Sequence, residues 1–321
     1  MSVRKLLIGA LAAVLLAGGA TAGNAAYPER PITMIVAYSP GGGTDVLART
    51  IAGFMEKYIG TSIVVVNKPG AGGEVGFTAL AHAKPDGYTI GFVNLPPLLT
   101  IPISRKAKYS LDDFAPIANL VDDPGAFNVH PSSEFKTLKQ LVEHAKKNPN
   151  SVTVGTSGIG GDDHLSMLFF AKAAGVKLTH VPFPGGAPNR KALLGRHITV
   201  GGFNISEAIQ YAKNGQVVSL GQMGEKRWPS AGDVPTFKEQ GFDIVMGSQR
   251  GLAAPKGVPD DILKKIAAAV EKAVNDPEFQ EKAKKTYLPL RYMPPQDYSA
   301  FLKQMNAKVQ KLWDTDPWIK K

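Results

Sequence analysis

The sequence predicts an α/β fold with two lobes, each a mostly parallel sheet flanked by helices. Short β-branched runs alternate with helical segments from residue 32 onward, which is typical of βαβ units. The pattern of strand, glycine loop and helix occurs twice, at 32–59 and 152–174. With 321 residues, the chain is also long enough for two domains of ordinary size.

An export signal precedes the predicted fold. Arg4 and Lys5 are followed by the apolar run 6–17 and by small residues up to Ala26. Cleavage after Ala22 fits the small-x-small rule of Ala20-Thr21-Ala22, whereas a cut after Ala26 leaves a more natural start for the fold. We favour the second, so residues 1–26 are assigned to a signal peptide. The apolar run of roughly a dozen residues is shorter than the about 20 that span a membrane. Because the sequence contains no Cys, we expect no lipid-anchored cysteine and no disulfide, and the predicted location is the periplasm.

The charge balance favours a small anionic ligand. The formal net charge of +10 falls to +8 once Arg4 and Lys5 are removed with residues 1–26, which contain no acid. Lys and Arg are spread along the chain without the basic run or aromatic platform of nucleic-acid modules, so no nucleic-acid partner is expected. A basic surface that serves only solubility is the alternative.

The first lobe opens with a strand at 32–37 and a glycine loop. We call residues 39–45 the first glycine corner, because Gly41, Gly42 and Gly43 precede a segment with helical apolar spacing. Glycines leave the backbone accessible, and a helix start presents free N–H groups and the positive end of its dipole. Such a corner favours an anion. A tight βα turn capped by Thr44 or Asp45 is the alternative.

The rest of the first lobe repeats the alternation of strand and helix. Asn94 follows the strand 88–93, and ligands collect at the carboxyl ends of strands in open α/β sheets. Asn94 is therefore a candidate site residue, with a role as turn initiator as the alternative. Residues 111–125 are expected to form the transition to the second lobe. We assign residues 27–125 and 251–321 to the first lobe and 126–250 to the second.

The second lobe begins with a helix at 138–147 and then repeats the opening pattern. The strand 152–154 leads into what we call the second glycine corner, residues 155–163, followed by an apolar helix. Two such corners facing each other across a cleft would hold an acid from both sides. His164 is expected either to donate a hydrogen bond to a carboxylate or to serve as a cap. Further strands are predicted at 178–181, 198–203 and 217–222, and helices at 262–274, 277–284 and 295–312 return to the first lobe.

Enzyme and metal motifs are incomplete. Neither glycine corner supplies the lysine of a P-loop, and Asp163 stands where the last glycine of a dinucleotide fingerprint belongs. Ile159 replaces the final glycine of a nucleophile elbow around Ser157. A secreted hydrolase using Ser157 and His164 is the enzymatic alternative. No zinc motif occurs, so neither a metal nor another cofactor is expected.

At this point the sequence resembles a known family, the Bug or TctC-type periplasmic solute-binding proteins of tripartite tricarboxylate transporters. The resemblance covers the whole mature chain and depends on the order and spacing of its motifs. These are Tyr27-Pro28-x-Arg30-Pro31-Ile32, Gly41-Gly42-Gly43-Thr44-Asp45, Val66-Asn67-Lys68-Pro69-Gly70-Ala71-Gly72-Gly73, Pro85-Asp86-Gly87-Tyr88-Thr89, Gly155-Thr156-Ser157-Gly158 with His164-Leu165, Leu193-Leu194-Gly195, and Asp233-Val234-Pro235-Thr236 with Glu239 and Gly241.

The resemblance implies a monomeric, non-enzymatic binding protein of the Venus-flytrap architecture. Its lobes would close on a small organic acid anion and deliver it to membrane permease subunits. It also implies that backbone N–H groups and waters at the two glycine corners hold one carboxylate. Residue by residue, it assigns Tyr38, Ser39, Gly42, Gly43 and Thr44 with Asn94 to the first-lobe wall, Thr156, Ser157, Gly158 and His164 to the opposing wall, and Phe203 with Asn204 to the variable end.

Two departures from the family pattern bear on the ligand. Tyr38 stands where the family commonly has phenylalanine, and its hydroxyl is expected to reach substrate or water. Thr199 replaces an acid of the usual family pattern, which removes an amine-recognising group and favours dicarboxylates, tricarboxylates or aromatic acids. A sensor module that presents its ligand to a membrane kinase would have the same sequence features and is a further alternative.

Overall fold

The computed structural model describes residues 27–319, which form two lobes, each with one sheet and surrounding helices. The predicted signal peptide at 1–26 lies outside the described residues. Within 27–319, none of the helices combines the length and the apolar character that a membrane crossing requires.

The first lobe contains a six-stranded sheet in the order β11-β4-β10-β3-β1-β2. Strands β1 to β4 run in one direction, and β10 and β11 run against them. The bounds are β1 Ile32–Val36, β2 Ile63–Asn67, β3 Thr89–Leu95, β4 Phe114–Pro124, β10 Gly247–Pro255 and β11 Leu290–Met293.

The second lobe contains a five-stranded sheet in the order β7-β6-β8-β5-β9. Four strands share one direction and β5 opposes them, so the prediction of two mostly parallel sheets is confirmed. The bounds are β5 Ala126–Val129, β6 Thr153–Thr156, β7 Thr179–Pro182, β8 Val200–Gly202 and β9 Val218–Gln222.

Alternation along β1 places apolar residues on both faces of the first sheet. Met34 and Val36 pack with Leu47 of α1, whereas Ile35 packs with Phe77 of α2. Buried apolar side chains on both faces explain why this parallel strand reads as a continuous apolar run. The helices are α1 Gly43–Ile59, α2 Glu74–Ala81, α3 Pro97–Ser104, α4 Leu138–Lys147, α5 Asp162–Ala174, α6 Gly186–Leu194, α7 Ile205–Lys213, α8 Asp260–Asn275, α9 Pro277–Lys285 and α10 Pro295–Thr315.

Two antiparallel strands carry the chain between the lobes. It leaves the first sheet after Pro124, enters β5 at Ala126, and rejoins the first sheet at Gly247. Gly247 pairs with Pro124, so the two passages lie side by side. The predicted boundary between 250 and 251 therefore falls inside β10. The transition expected at 111–125 is largely the strand β4, because its residues pair with β10 along their whole length.

Candidate functional site

The first glycine corner presents free backbone donors. Helix α1 begins at Gly43 after Gly42, which provides no side-chain cap, and the first intrahelical bond runs from Val46 N to Gly42 O at 3.0 Å. Within 27–319, the N–H groups of Gly43 and Thr44 donate to no acceptor. Four N–H groups at any helix start lack an intrahelical partner, so this corner is equipped to bind an anion.

The acid of the first corner, Asp45, turns away from those donors. It accepts a hydrogen bond from Gly41 N at 2.9 Å and forms an ion pair with Arg49 at 3.0 Å. Its other partner is Asn67 Nδ2, at 2.9 Å. Although burial opposes the shift, the hydrogen bonds from Arg49, Gly41 and Asn67 lower the pKa of Asp45. Asp45 is therefore ionised and neutralised by its own neighbours.

A side chain of the protein itself occupies part of the second glycine corner. Asp163 Oδ2 accepts from Ser157 N at 2.5 Å, and Asp163 Oδ1 accepts from His164 N at 2.9 Å. An acid in the first turn of α5 can reach back to the loop in this way, so these two donors are engaged. Within 27–319, the N–H groups of Asp162 and Asp163, which start α5, donate to no acceptor. Burial, together with the neighbouring charge of Asp162, raises the pKa of Asp163 well above its ordinary value.

A small cavity of about 30 Å³ lies between the two lobes, between the starts of α1 and α5. This volume holds one or two water-sized groups, so a ligand of several heavy atoms enters only when the lobes move apart. The cavity contains residues from both lobes, as the sequence predicts. Eight of the twelve predicted site residues line it: Tyr38, Gly42, Gly43, Thr44, Asn94, Ser157, Phe203 and Asn204.

Two other predicted residues do not line the cavity and instead join the lobes. Ser39 Oγ donates to the Pro184 carbonyl oxygen at 2.8 Å. Gly158 lies against Gly72 so closely that a Cβ on Gly158 would stand 2.7 Å from Gly72 Cα. Both glycines have positive φ, 140° and 71°. The absence of a side chain at these positions therefore allows the lobes to approach backbone to backbone.

The remaining two, Thr156 and His164, pack behind the second corner. Thr156 Oγ1 is 2.6 Å from His180 Nε2, and His164 stacks on His180 with ring centroids 4.3 Å apart. His164 Nδ1 accepts from Gly160 N at 3.2 Å, and among the described residues no hydrogen bond joins it to Ser157. Burial lowers the pKa of His164 to about 3, so its ring is neutral at pH 7. The hydrolase alternative lacks its nucleophile–base pair in this arrangement.

Two residues expected to bear on specificity make contacts within their own lobes. The Tyr38 hydroxyl donates to the Gly72 carbonyl oxygen at 3.4 Å. Thr199 directly precedes β8, its hydroxyl lies 3.1 Å from Thr153 Oγ1 of β6, and it is not among the residues that line the cavity.

Arg250, which sequence reasoning missed, is the largest polar group in the cavity wall. It is 2% exposed, and its Nη1 lies 2.8 Å from Asp123 Oδ2. Its Nη2 donates to Asn204 Oδ1 at 2.8 Å and to Glu207 Oε1 at 3.2 Å. The signal in the sequence was a lone arginine inside the otherwise uncharged strand run 247–255. Its partners are 127, 46 and 43 residues away, so spacing could not identify them.

The position of Arg250 explains the third glycine of the first corner. A Cβ on Gly43 would stand 2.7 Å from Arg250 Nη1, closer than nonbonded atoms allow. A Cβ on Gly42 would meet nothing closer than 3.7 Å. The lack of a side chain at Gly43 thus leaves space for the guanidinium of Arg250. The guanidinium places no such requirement on position 42.

Acids that sequence reasoning did not select lie near the cavity in both lobes. Burial raises the pKa of Asp123, on β4 of the first lobe, to about 6 despite Arg250, and burial raises the pKa of Asp162, on α5 of the second lobe, to about 6. Within the described chain, neither Asp162 nor Asp163 has a Lys, Arg or His nitrogen within 4.0 Å that forms an ion pair. The wall opposite the α1 donors therefore presents acceptors.

Comparison with known proteins identifies related sequences over almost the whole described chain. The family model described as Tripartite tricarboxylate transporter family receptor, TctC, matches residues 47–315. A UPF0065 protein of Cupriavidus necator is 34% identical over 294 residues, which cover 89% of this chain and 88% of that protein.

Solved structures show the same two-lobed fold. The periplasmic binding protein BugD has a TM-score of 0.86 at 32% identity, covering 92% of this chain and 100% of BugD. MatC from Rhodopseudomonas palustris, solved with bound malate, has a TM-score of 0.82 at 28% identity, covering 90% of this chain and 99% of MatC.

Proposed function

This chain belongs to the tripartite tricarboxylate transporter receptor family, and from that premise we propose that it captures a small carboxylate outside the cytoplasm for the permease subunits of such a transporter. The observation that supports this proposal most directly is the first glycine corner. Free N–H groups of Gly43 and Thr44 start a helix at a cavity shared by both lobes. The bound malate in MatC is consistent with a carboxylate ligand.

The mechanism is capture by closure. In the open form, a carboxylate exchanges water for charge-assisted hydrogen bonds from the first turn of α1, which are stronger than neutral ones. Closure then brings Ser39 to Pro184 and Gly158 to Gly72, burying the ligand between the lobes. A ligand that binds the closed form more tightly shifts the population toward it, and the permease would recognise that shape. The predicted signal peptide accounts for export.

A thermal-shift screen against small organic acids, followed by calorimetry, tests the proposal. A ligand present at 100 times its Kd adds about 2.7 kcal/mol to the free energy of unfolding. Neutral sugars of similar size serve as controls. The proposal fails if sugars raise the melting temperature and no carboxylate does.

An uptake assay distinguishes transport from the two alternative functions, a sensor module and a hydrolase. Cells that carry the transporter should take up the identified acid only when this chain is present. Binding without uptake would favour the sensor module, and release of product from an ester, lost in Ser157→Ala, would favour the hydrolase.

A further inference from the structure

A larger pocket lies between the lobes, on the other side of the strands that connect them. We call it the hinge pocket. Its volume is about 700 Å³, and its walls come from α10 of the first lobe, from β4 and β10, and from residues 223–229 and 245–246 of the second lobe. Pockets that bind small molecules have volumes of about 300–1,000 Å³ and often lie at domain interfaces. The hinge pocket therefore has the size and the place of a binding site.

The hinge pocket and the cavity lie on opposite faces of the connecting strands. Along β10, Ser248 and Arg250 line the cavity. Gly247 and Gln249 line the hinge pocket, as does Asp122 of β4, which accepts from Gln249 Nε2 at 2.7 Å. Because successive side chains of a strand point to opposite faces, the two spaces lie back to back across β10. A change in the angle between the lobes therefore alters both spaces, in opposite directions.

The floor of the hinge pocket is apolar. Residues of α10 that follow one another at spacings of four, four and three form one face of that helix. They line the pocket together with two residues of the second lobe: Phe301, Met305, Val309 and Leu312, with Val245 and Met246. Val245 is 42% exposed. A ligand that covers this surface removes apolar area from water, and the flexible methionine side chains can adapt to its shape.

Two lysines at this pocket have no ion-pair partner. Lys226 of the second lobe and Lys308 of α10 both line it and are exposed. Within 27–319 neither takes part in an ion pair, whereas the other charged residues that line the pocket do, as Arg291 does with Asp122. The hinge pocket thus combines an apolar floor with one available positive charge from each lobe.

We propose that the hinge pocket binds an amphipathic organic anion, with its apolar body on the α10 face and its acid group at Lys226 and Lys308. The pocket has this shape while the cavity on the opposite face is small, so a ligand in it stabilises the closed arrangement of the lobes. By linkage, it then raises the affinity of the cavity for its own ligand. The binding site does not depend on the proposed function, whereas this coupling rests on it.

Octanoate, butyrate and octanol are the probes, and calorimetry on the mature chain measures their binding. Octanoate shares its acid group with butyrate and its apolar chain with octanol. It should bind roughly tenfold or more tightly than butyrate, because the longer chain buries more methylene groups. It should bind roughly threefold to thirtyfold more tightly than octanol, the range expected for two exposed charge pairs.

Lys226→Gln combined with Lys308→Gln identifies the charges responsible. Both side chains are exposed, so the double variant is expected to fold. Its preference for octanoate over octanol should disappear while octanol binding is kept. Lys311→Gln is the matched control, because Lys311 is an exposed lysine of α10 that does not line the pocket, and it should leave the preference unchanged.

Trp228 reports where the probe binds. It lines the hinge pocket, whereas Trp313 and Trp318 pack against each other and do not line it. Octanoate should change the tryptophan fluorescence of the unmodified chain. In Trp228→Phe that change should disappear while calorimetry still detects binding.

The outcomes separate the site from the proposed function. Equal affinities for octanoate and octanol, or a preference that survives loss of both lysines, overturn the anion, and a fluorescence change that persists in Trp228→Phe overturns the location. With the cavity saturated by the acid found in the screen, octanoate should bind roughly fivefold more tightly. Displacement by that acid would place octanoate in the cavity and overturn the pocket, and unchanged affinity would overturn the coupling. If the screen finds no acid, the proposed function fails, and the three probes still test the hinge pocket.

Discussion

The two glycine corners have similar sequences and differ in how their acid is compensated. In both, a glycine run leads into a helix with an acid in its first turn, and in both that acid accepts a loop N–H. Asp45 accepts from Gly41 and has Arg49 beside it. Asp163 accepts from Ser157 and His164 and has no ion-pair partner within 27–319. The first two N–H groups of both helices have no acceptor among the described residues.

The comparison shows that a glycine loop before a helix does not by itself make an anion site. Whether such a corner can bind an anion depends on where the acid of the first turn points and on whether a cation lies beside that acid. At the first corner Arg49 neutralises Asp45, and the N–H groups of Gly43 and Thr44 remain available to an anion in the cavity. At the second corner the acid has no cation in contact with it and takes two donors, the N–H groups of Ser157 and His164, and the lobe turns an acceptor-rich face toward the cavity.

The largest loss of stability is expected when the positive charge of Arg250, which lies between the two corners, is removed. Arg250→Met leaves Asp123 and Glu207 buried without their partner, and breaking such a pair costs about 3–5 kcal/mol of unfolding free energy. Urea denaturation at pH 7 measures the loss. As a control, Arg30→Met removes the exposed ion pair with Asp86 and should cost about 0–1 kcal/mol. Equal losses in the two variants would mean that the buried cluster is not ionic.

Asp162→Asn tests, by the pH dependence of stability, a buried acid that forms no ion pair within 27–319. The pKa of Asp162 is about 6 in the folded protein against 3.8 as its ordinary value, so the folded state holds the proton more tightly. The resulting stability is present below pH 4 and is lost as the pH rises through 6. Relative to Asp162→Asn, the unmodified chain should therefore lose on the order of 1–3 kcal/mol between pH 4 and 6.

The quantity to compare at each pH is the difference in unfolding free energy between the unmodified chain and Asp162→Asn, because neighbouring groups titrate in both proteins. Asp123 and Asp163, both with a raised pKa, shift stability in the same direction as Asp162, whereas His164, with a lowered pKa, shifts it the opposite way. Because the charge of Asp162 raises the pKa of Asp163, part of the difference between the two proteins belongs to this pair of acids. Chemical denaturation at several pH values gives the difference. Asp233→Asn, an exposed acid of the same lobe, provides the control. A difference that stays flat from pH 4 to 6 would contradict the assignment.

Gly43→Ala and Gly42→Ala separate the two central glycines of the first corner. The Gly43 methyl must displace the guanidinium held by Asp123 and Asn204, and overpacking of this kind costs about 1–3 kcal/mol. Gly42→Ala meets no close atom and should cost less than about 1 kcal/mol. Melting curves of both variants make the comparison. A larger loss for Gly42→Ala would show that Arg250 does not lie against Gly43.

The smallest effect on stability is expected at the interlobe contact of the second corner. Gly158→Ala introduces a methyl group against Gly72 and should hold the lobes apart, which small-angle scattering detects as a larger radius of gyration. Gly175→Ala is the matched control, since Gly175 also has positive φ but open space around it. Both should lose roughly 1–2 kcal/mol from the left-handed backbone. An unchanged radius of gyration in Gly158→Ala would argue against this contact.

Much of the fold could be predicted because its signals are local. The alternation of strands and helices and the two glycine corners follow from residues that lie within one turn or one strand of each other. Even the Asp45–Arg49 pair follows from the spacing of four on a helix. Strand β11 and helix α3 went unpredicted because they are short, and α3 contains Pro102, which weakens the helical pattern.

The sequence selected cavity residues in both lobes but missed the charged ones. Asn94 and Asn204 line the cavity, because Asn94 is the last residue but one of β3 and Asn204 follows β8 by two residues, at the carboxyl ends of both strands. Arg250 and Glu207 were not selected, since a lone arginine in a strand and a glutamate in a helix resemble ordinary surface residues in the sequence. His164 was selected as a site residue but lies behind the cavity wall, where it stacks on His180 of β7. Sequence reasoning missed this contact because the two residues are 16 positions apart, on a helix and a strand.

The sequence by itself determined the two-lobed α/β fold, the family and the position of both glycine corners. Only the tertiary structure decided how the acids around the cavity are compensated. The side chain that neutralises Asp45 is on the same helix, whereas the guanidinium nearest the second-lobe acids comes from β10 and is committed to Asp123, Asn204 and Glu207. Charge compensation between distant segments depends on how the lobes pack, and no local pattern encodes it.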